Sequence, residues 1–201
     1  MGETLRVGDL AWAWQHEPEQ WQVGAADQVT ISAGPATRWF VDPGDPSDSG
    51  LRAPALLAPV GGDFQLRASL QLRGDAAFDA GALVVYVDEW SWAKLCLENS
   101  PAGVPMVVSV VTRGVSDDCN SLTLERGAAI SFRLARLGAA YAFHASHDGE
   151  SWELIRYFAL ESPELVSVGF QAQSPRGAGA TVRFDDIGWS RERLGNIRSG
   201  E

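Results

Sequence analysis

Lys94 and Glu98 are the side chains whose type and placement point most directly to chemistry. An ammonium and a carboxylate stand four residues apart in a stretch, residues 81–98, otherwise rich in Ala, Leu, Val and Trp. Successive side chains of an extended strand alternate faces, so Trp92, Lys94, Cys96 and Glu98 share one face and Leu95 and Leu97 take the other. At ~3.3 Å per residue, Lys94 and Glu98 lie about 13 Å apart along that face, too far to pair directly. Each needs a neighbouring strand, a ligand or water. The same parity opposes His144 and Ser146 to Tyr141 and Phe143, and Gln171 and Gln173 to Val166, Val168 and Phe170. If the apolar sets fill a core, then His144, Gln171 and Gln173, with Arg133 as a further candidate, join Lys94 and Glu98 on one polar sheet surface. Flanked by Trp90, Trp92 and Tyr157, that surface has the donors, acceptors and ring faces that saccharide grooves use. A plainer account fits the same alternation, because antiparallel sheets commonly turn one polar face to water.

The elements that must position these residues are strands. Apolar runs at 82–87 and 92–97 flank a polar bend at 88–91, which predicts a central β-hairpin. Upstream, Trp12, Trp14 and Trp21 pin an irregular segment in which Pro18 excludes a long helix. Short strands are expected at 28–33 and 39–41, followed by a loop at 42–50 rich in Asp, Pro, Ser and Gly. Residues 51–60 are apolar but carry Pro54 and Pro59, so they make an edge strand at best. Residues 64–72 alternate cleanly, and further strands are expected at 106–112, 130–134, 140–146, 152–158, 165–172 and 180–184. Asp148-Gly149 makes 146–152 a structural hairpin turn. No helical period lasts beyond a turn or two, and a dozen or so short strands at near-regular spacing predict an antiparallel sandwich or jelly roll. The polar tail, 191–201, is expected to fray.

A chain of 201 residues can form one such domain, with its core at about 12–189. The net charge of −10 repels phosphate backbones and anionic lipid, which argues against nucleic-acid and membrane partners. The eight Trp serve a core or a sugar-stacking surface equally well. No signal-peptide or membrane-spanning run is present, Arg6 breaks a myristoylation pattern, and two cysteines make no disulfide framework. A cytoplasmic protein with free Cys96 and Cys119 is expected, a single bridge between them being the alternative.

Metal and nucleophile patterns are thin. His144 and His147 face opposite ways on a strand, no zinc pattern exists, and Asp42, Asp45 and Asp48 lack the spacing of a calcium-binding EF-hand loop. Neither a metal nor another cofactor is expected. Cys96 and His144 could form a dyad, but a Cys between two Leu on a strand more often packs as a small hydrophobe. Glycoside hydrolysis needs two carboxyl groups ~5 Å or ~6.5–9.5 Å apart. Glu98 supplies one, and Asp117 or Asp118, read as lying in a loop, could supply the second.

Several stretches occur in a fixed order: Trp14-x-x-Glu17-Pro18-x-x-Trp21, Asp63-Phe64, Trp92-x-Lys94-x-x-x-Glu98 and Val110-Val111-Thr112-Arg113-Gly114-x-Ser116-Asp117. They continue with Ser146-x-Asp148-Gly149-x-x-Trp152-x-x-x-Arg156, Gly169-x-x-x-Gln173-Ser174-Pro175 and Phe184-Asp185-Asp186-Ile187. In this ordered set the chain resembles a family of unknown function within the concanavalin-A-like lectin/glucanase superfamily, the regulator-of-enolase-like proteins. The resemblance covers residues 12–189. It implies an all-β, concanavalin-like jelly-roll sandwich of two curved antiparallel sheets, the concave one forming a groove. It implies a ligand-binding lining of Trp92, Lys94, Glu98, Ser116, Asp117, His144, Arg156, Gln171, Gln173 and Ser174, and no established reaction. Asp118-Cys119 replaces an expected aromatic, which removes one stacking platform.

Three functions follow as expectations. The first is binding of a saccharide or other small polar ligand without catalysis. The second is glycan hydrolysis by Glu98 with Asp117 or Asp118. The third is a protein-interaction module acting on a metabolic enzyme, with a protein as its partner.

Overall fold

A computed structural model describes residues 5–24, 27–45, 47 and 49–201. Its strands run in chain order as β1 (Ala13–Gln15), β2 (Gln20–Val23), β3 (Val29–Ala33), β4 (Trp39–Val41), β5 (Ser49–Leu51) and β6 (Ala55–Gly61). They continue as β7 (Phe64–Arg73), β8 (Ala80–Asp88), β9 (Ser91–Asn99), β10 (Pro105–Arg113) and β11 (Val115–Thr123). The last are β12 (Ile130–Leu137), β13 (Ala140–Ser146), β14 (Glu153–Ala159), β15 (Leu165–Gln173) and β16 (Ala180–Ser190). No helix is long and apolar enough to cross a membrane among the described residues.

The strands form two seven-stranded sheets, ordered β1-β6-β15-β8-β9-β10-β11 and β14-β13-β12-β7-β16-β3-β2, plus the small β4-β5 hairpin. All pairings between named strands are antiparallel, and the expected all-β jelly-roll sandwich is the fold the chain adopts. One face of every central strand fills the space between the sheets. Leu83 and Val85 of β8, Leu95 and Leu97 of β9, and Val166, Val168 and Phe170 of β15 meet Phe132, Phe143, Val182 and Phe184 from the other sheet. The hydrophobic drive to bury these side chains fixes the register, because a one-residue slip would move a whole apolar row to the outside.

Local chemistry explains where the chain departs from the sequence pattern. β6 lies inside its sheet despite Pro59: its pairing with β1 covers Ala55 to Leu57 and stops short of the proline. Beyond Leu57 it is a local edge, where the missing N–H costs no ladder bond. The segment around Asp117 and Asp118, read as a loop, belongs to β11, turned back on β10 at Gly114, whose φ of 77° suits glycine. Gly169 of β15 is required for another reason: a Cβ there would lie 1.9 Å from the Leu56 carbonyl oxygen of β6. The segment around Trp14 and Trp21 contributes the short strands β1 and β2.

The C-terminal tail, expected to fray, is packed against the second sheet. Leu194 is buried in an apolar cluster with Ala135, Leu137 and Ala142 on the outer face of the second sheet, with Ile197 packed against it. Asn196 anchors the last turn, its backbone carbonyl accepting from the Gly200 and Glu201 amides. The polar composition of 191–201 hid two apolar anchors.

Candidate functional site

The outer face of the first sheet carries what parity assigned to it. Trp92, Lys94, Cys96 and Glu98 of β9 lie beside Ala80 and Ala82 of β8, and Val108 and Val110 of β10. Gln173 stands in register with Ala80 and then Glu98, and Gln171 with Ala82 and then Cys96. The small alanines leave room for Lys94 to lean across the sheet, where its Nζ donates to Gln173 Oε1 at 2.8 Å. That same oxygen accepts from Gln171 Nε2 at 3.2 Å and the Trp39 amide at 3.4 Å, while Gln173 Nε2 donates to the Phe78 carbonyl at 3.1 Å. Gln173 is therefore the hub that holds Lys94 in place.

Half of this face is closed by the chain itself. The β4-β5 hairpin lies over it, with Trp39 fully buried against Trp92 and Tyr86 at ring separations of 5.8 and 5.7 Å. Trp39 Nε1 donates to the Ala53 carbonyl, and the Val41 amide donates to Ser116 Oγ, itself bonded to Thr112. Trp92 consequently has no exposed ring face and offers no stacking platform. Ser116 serves to fasten the hairpin. Ser174 is likewise structural: its hydroxyl donates to Asp79, and its backbone amide and carbonyl meet Thr37.

The uncovered half is a cavity of about 310 Å³, lined by Lys94, Glu98, Gln173, Val108, Val110, Asp118, Phe40, Phe78, Arg38, Asp42, Pro175 and Arg176. Lys94 is 2% exposed and Glu98 8%. They make no ion pair with each other, and no hydrogen bond to the Glu98 carboxyl exists among the described residues. Burial pushes Glu98 up to about 7, with Asp118 adding to the shift and Lys94 opposing it. Burial likewise pushes the Cys96 thiol up to about 12, which makes it a packed hydrophobe and not a nucleophile. Cys96 and Cys119 are both free.

Four residues assigned to this site lie elsewhere. His144, on β13, faces outward from the second sheet, where Nε2 donates to the Ile197 carbonyl at 2.8 Å beneath the tail. Arg133 joins it there, bonded to the Gly200 carbonyl and stacked 3.9 Å from the Trp152 ring. Strand parity distinguishes the two faces of a sheet but not the two sheets of a sandwich. Asp117 alternates with Asp118 on β11, so it faces away from the cavity and pairs with Arg156 of β14 at 2.6 Å. Arg156 also reaches Ser109 of β10, so the pair ties the sandwich closed along one edge. Asp118 is the carboxylate that reaches the cavity. Reading 115–118 as a loop concealed that alternation. Phe40, Phe78 and Arg176 were missed altogether, and Pro175, though part of the Gln173-Ser174-Pro175 motif, was not assigned to the lining.

Acidic loop chemistry is accounted for locally. Asp42 Oδ1 accepts from the Gly44 and Asp45 amides, and Asp45 Oδ1 accepts from Ser47, while Asp48 lies outside the described residues. Asp148 accepts from the Glu150 and Ser151 amides and the Ser146 hydroxyl, bonds that hold it well below the usual carboxylate range and make the turn structural. No group of three or more His, Cys, Asp and Glu suited to a metal ion occurs among the described residues.

The fold and this cavity define a jelly-roll β-sandwich with a polar pocket on the outer face of one sheet. More narrowly, residues 14–192 match the family described as "Protein of unknown function (DUF1349)", and the chain belongs to it. No curated protein matches the sequence. Among solved structures, the chain is similar to a functionally unknown protein from Saccharomyces cerevisiae, with 21% identity, TM-score 0.83, and coverage of 90% of this chain and 97% of that one. It is similar to a GH43 protein, BlXynB, from Bacillus licheniformis, at 15% identity and TM-score 0.72 over 90% of this chain. There it spans only 37% of the longer partner. The carbohydrate-binding module CBM66 from Bacillus subtilis aligns at 12% identity and TM-score 0.56, covering 94% and 99% of the two chains. At these identities the likeness concerns the fold.

Proposed function

We propose that the cavity beside Glu98 binds a small polar ligand, a saccharide in the first instance. The observation that carries this reading is the state of Lys94 and Glu98. Both are buried, they face one void, Lys94 spends one of three N–H donors on Gln173, and Glu98 spends none of its acceptors. Burying charge without partners is costly, and such a cost persists where a ligand completes the bonding. A void of about 310 Å³ is at the small end of ligand pockets and suits one sugar ring. Phe40 and Phe78 add apolar walls for its C–H faces. The fold of CBM66 and of the GH43 protein supports a saccharide over other polar molecules. Two unpaired thiols fit a reducing, cytoplasmic setting. The test is a thermal-shift and calorimetric panel of monosaccharides and sugar phosphates against the protein and its Lys94→Met variant. A blank panel at millimolar ligand would remove the reading.

Hydrolysis is the second reading, favoured by one observation. Glu98 and Asp118 line the same cavity, and Glu98 is poised near 7, as a general acid should be. Release of chromophore from aryl glycosides, abolished in both Glu98→Gln and Asp118→Asn, would establish it. Binding without turnover would leave the first reading standing alone.

A further inference from the structure

The charges in the cavity narrow the ligand class further, on the reading that it binds a saccharide. Glu98 is 8% exposed and has no hydrogen-bond partner among the described residues, and its carboxyl meets the void. Asp118 lines the same void from β11 and repels charge on Glu98. Lys94, the nearest cation on the sheet, has its ammonium drawn to Gln173 and pairs with neither acid. One end of the cavity therefore holds two carboxyl groups without an ion-pair partner of their own.

A neutral hydroxyl placed there would satisfy a lone pair of Glu98 and leave the repulsion untouched. A cation answers both, since an opposite charge within a few ångströms favours both ionised carboxylates. A divalent metal fits poorly, because the donors do not make a group of three or more suited to a metal ion among the described residues. An ammonium fits well: it needs two or three acceptors, and the aromatic residues Phe40 and Phe78 line the same cavity. We propose that the ligand of this cavity is an amino sugar, its ammonium seated against Glu98 and Asp118 and its hydroxyls bonded by Lys94 and Gln173.

The charges acting on Glu98 are Lys94 on its own strand and Asp118 from β11; Arg38, Asp42 and Arg176 line the same void, and Cys96 neighbours Glu98 on β9 without lining it. Of these, Glu98 itself titrates near neutrality, so binding an ammonium must displace its proton. The affinity for the ammonium form, after allowance for the sugar's own loss of protons at the higher pH, should rise about eightfold between about pH 6 and about pH 7.5, following the ionised fraction of a group at about 7.

The experiment is isothermal titration of glucosamine, glucose and N-acetylglucosamine into the full chain at both pH values, in two buffers of different ionisation enthalpy. Tighter binding of glucosamine by tenfold or more, proton release on binding, and loss of the preference in Glu98→Gln are the expected results. A melting curve of the variant establishes that it folds. Glucose binding as well as glucosamine at the higher pH overturns the amine while leaving saccharide binding intact. Silence from all three sugars overturns both.

Discussion

The outer faces of the two sheets pose the same problem and solve it differently. Each buries polar side chains away from the core: Lys94, Glu98, Gln171 and Gln173 on the first sheet, Arg133, Arg136, His144 and Ser146 on the second. On the second sheet the chain closes most of these bonds itself, leaving His144 Nδ1 without a partner. The Ile197 carbonyl accepts from His144, the Gly200 carbonyl from Arg133, and the Glu164 and Pro163 carbonyls from Arg136. On the first sheet the β4-β5 hairpin closes only one half, and the other half keeps two chargeable groups beside a void. Buried polar groups alone thus do not mark a site. What marks it is that the backbone, which could have supplied partners, stays away.

Protonation should separate the two faces most sharply. Glu98 binds protons more tightly folded, at about 7, than unfolded, at 4.5. Its contribution is therefore fully present below pH 4.5 and is lost as pH rises through 7, reaching about 3 kcal/mol of destabilisation at the alkaline end. Glu98→Gln should remove this dependence and melt higher than the parent at pH 8. Urea denaturation at pH 5 and 8 measures it, and a variant no more stable at pH 8 would contradict the cavity's electrostatics. His144 carries the opposite sign. Burial lowers its folded pKa, its bond to Ile197 opposes that shift, and Arg133 adds to it. Its contribution holds above 6.5 and is lost as pH falls through the folded value. The protection factors of the 196–201 amides, corrected for the slower intrinsic exchange at low pH, should accordingly fall on acidification.

The cover itself can be broken next. Leu194→Ala removes a side chain buried against Leu137 and Ala142 and should cost about 2 kcal/mol. Ligand binding should be unchanged, because the tail and the cavity lie on opposite sheets. Ser116→Ala takes the acceptor from the Val41 amide and should cost about 1 kcal/mol. Here binding should weaken, since the hairpin carries Phe40 into the cavity wall. Chemical denaturation and calorimetry on the two variants separate these effects.

The fold was legible because alternation is periodic and the core rewards it: Leu95 and Leu97 against Lys94 and Glu98 define a strand with two unlike faces. The same parity placed Gln171 and Gln173 correctly, because β15 lies in the sheet that holds β9. It failed at His144, whose strand belongs to the other sheet, and sheet membership depends on pairings far apart in sequence. It failed at Trp92 for a different reason. The parity was right, but the hairpin that buries the ring comes from residues 39–51, and nothing in the β9 sequence announces a cover. Phe40 and Phe78 escaped because a cavity wall supplied by loops has no period to read.

Asp117 offers the smallest and most discriminating test of the comparison. It neighbours Asp118 in sequence, yet alternation turns it to the edge, where it pairs with Arg156 at 2.6 Å while remaining 64% exposed. Solvent screening limits such a pair, so Asp117→Asn should cost less than about 1 kcal/mol. It should leave the affinity for any cavity ligand untouched. Asp118→Asn, one residue on, should leave stability nearly unchanged and weaken an amine ligand severalfold, because it removes one of two carboxylates facing the ammonium. A matched pair of titrations decides between them. If Asp117→Asn proved the more damaging to binding, the β11 register would be offset by one residue from that described, and the ligand-binding acid would have to be reassigned.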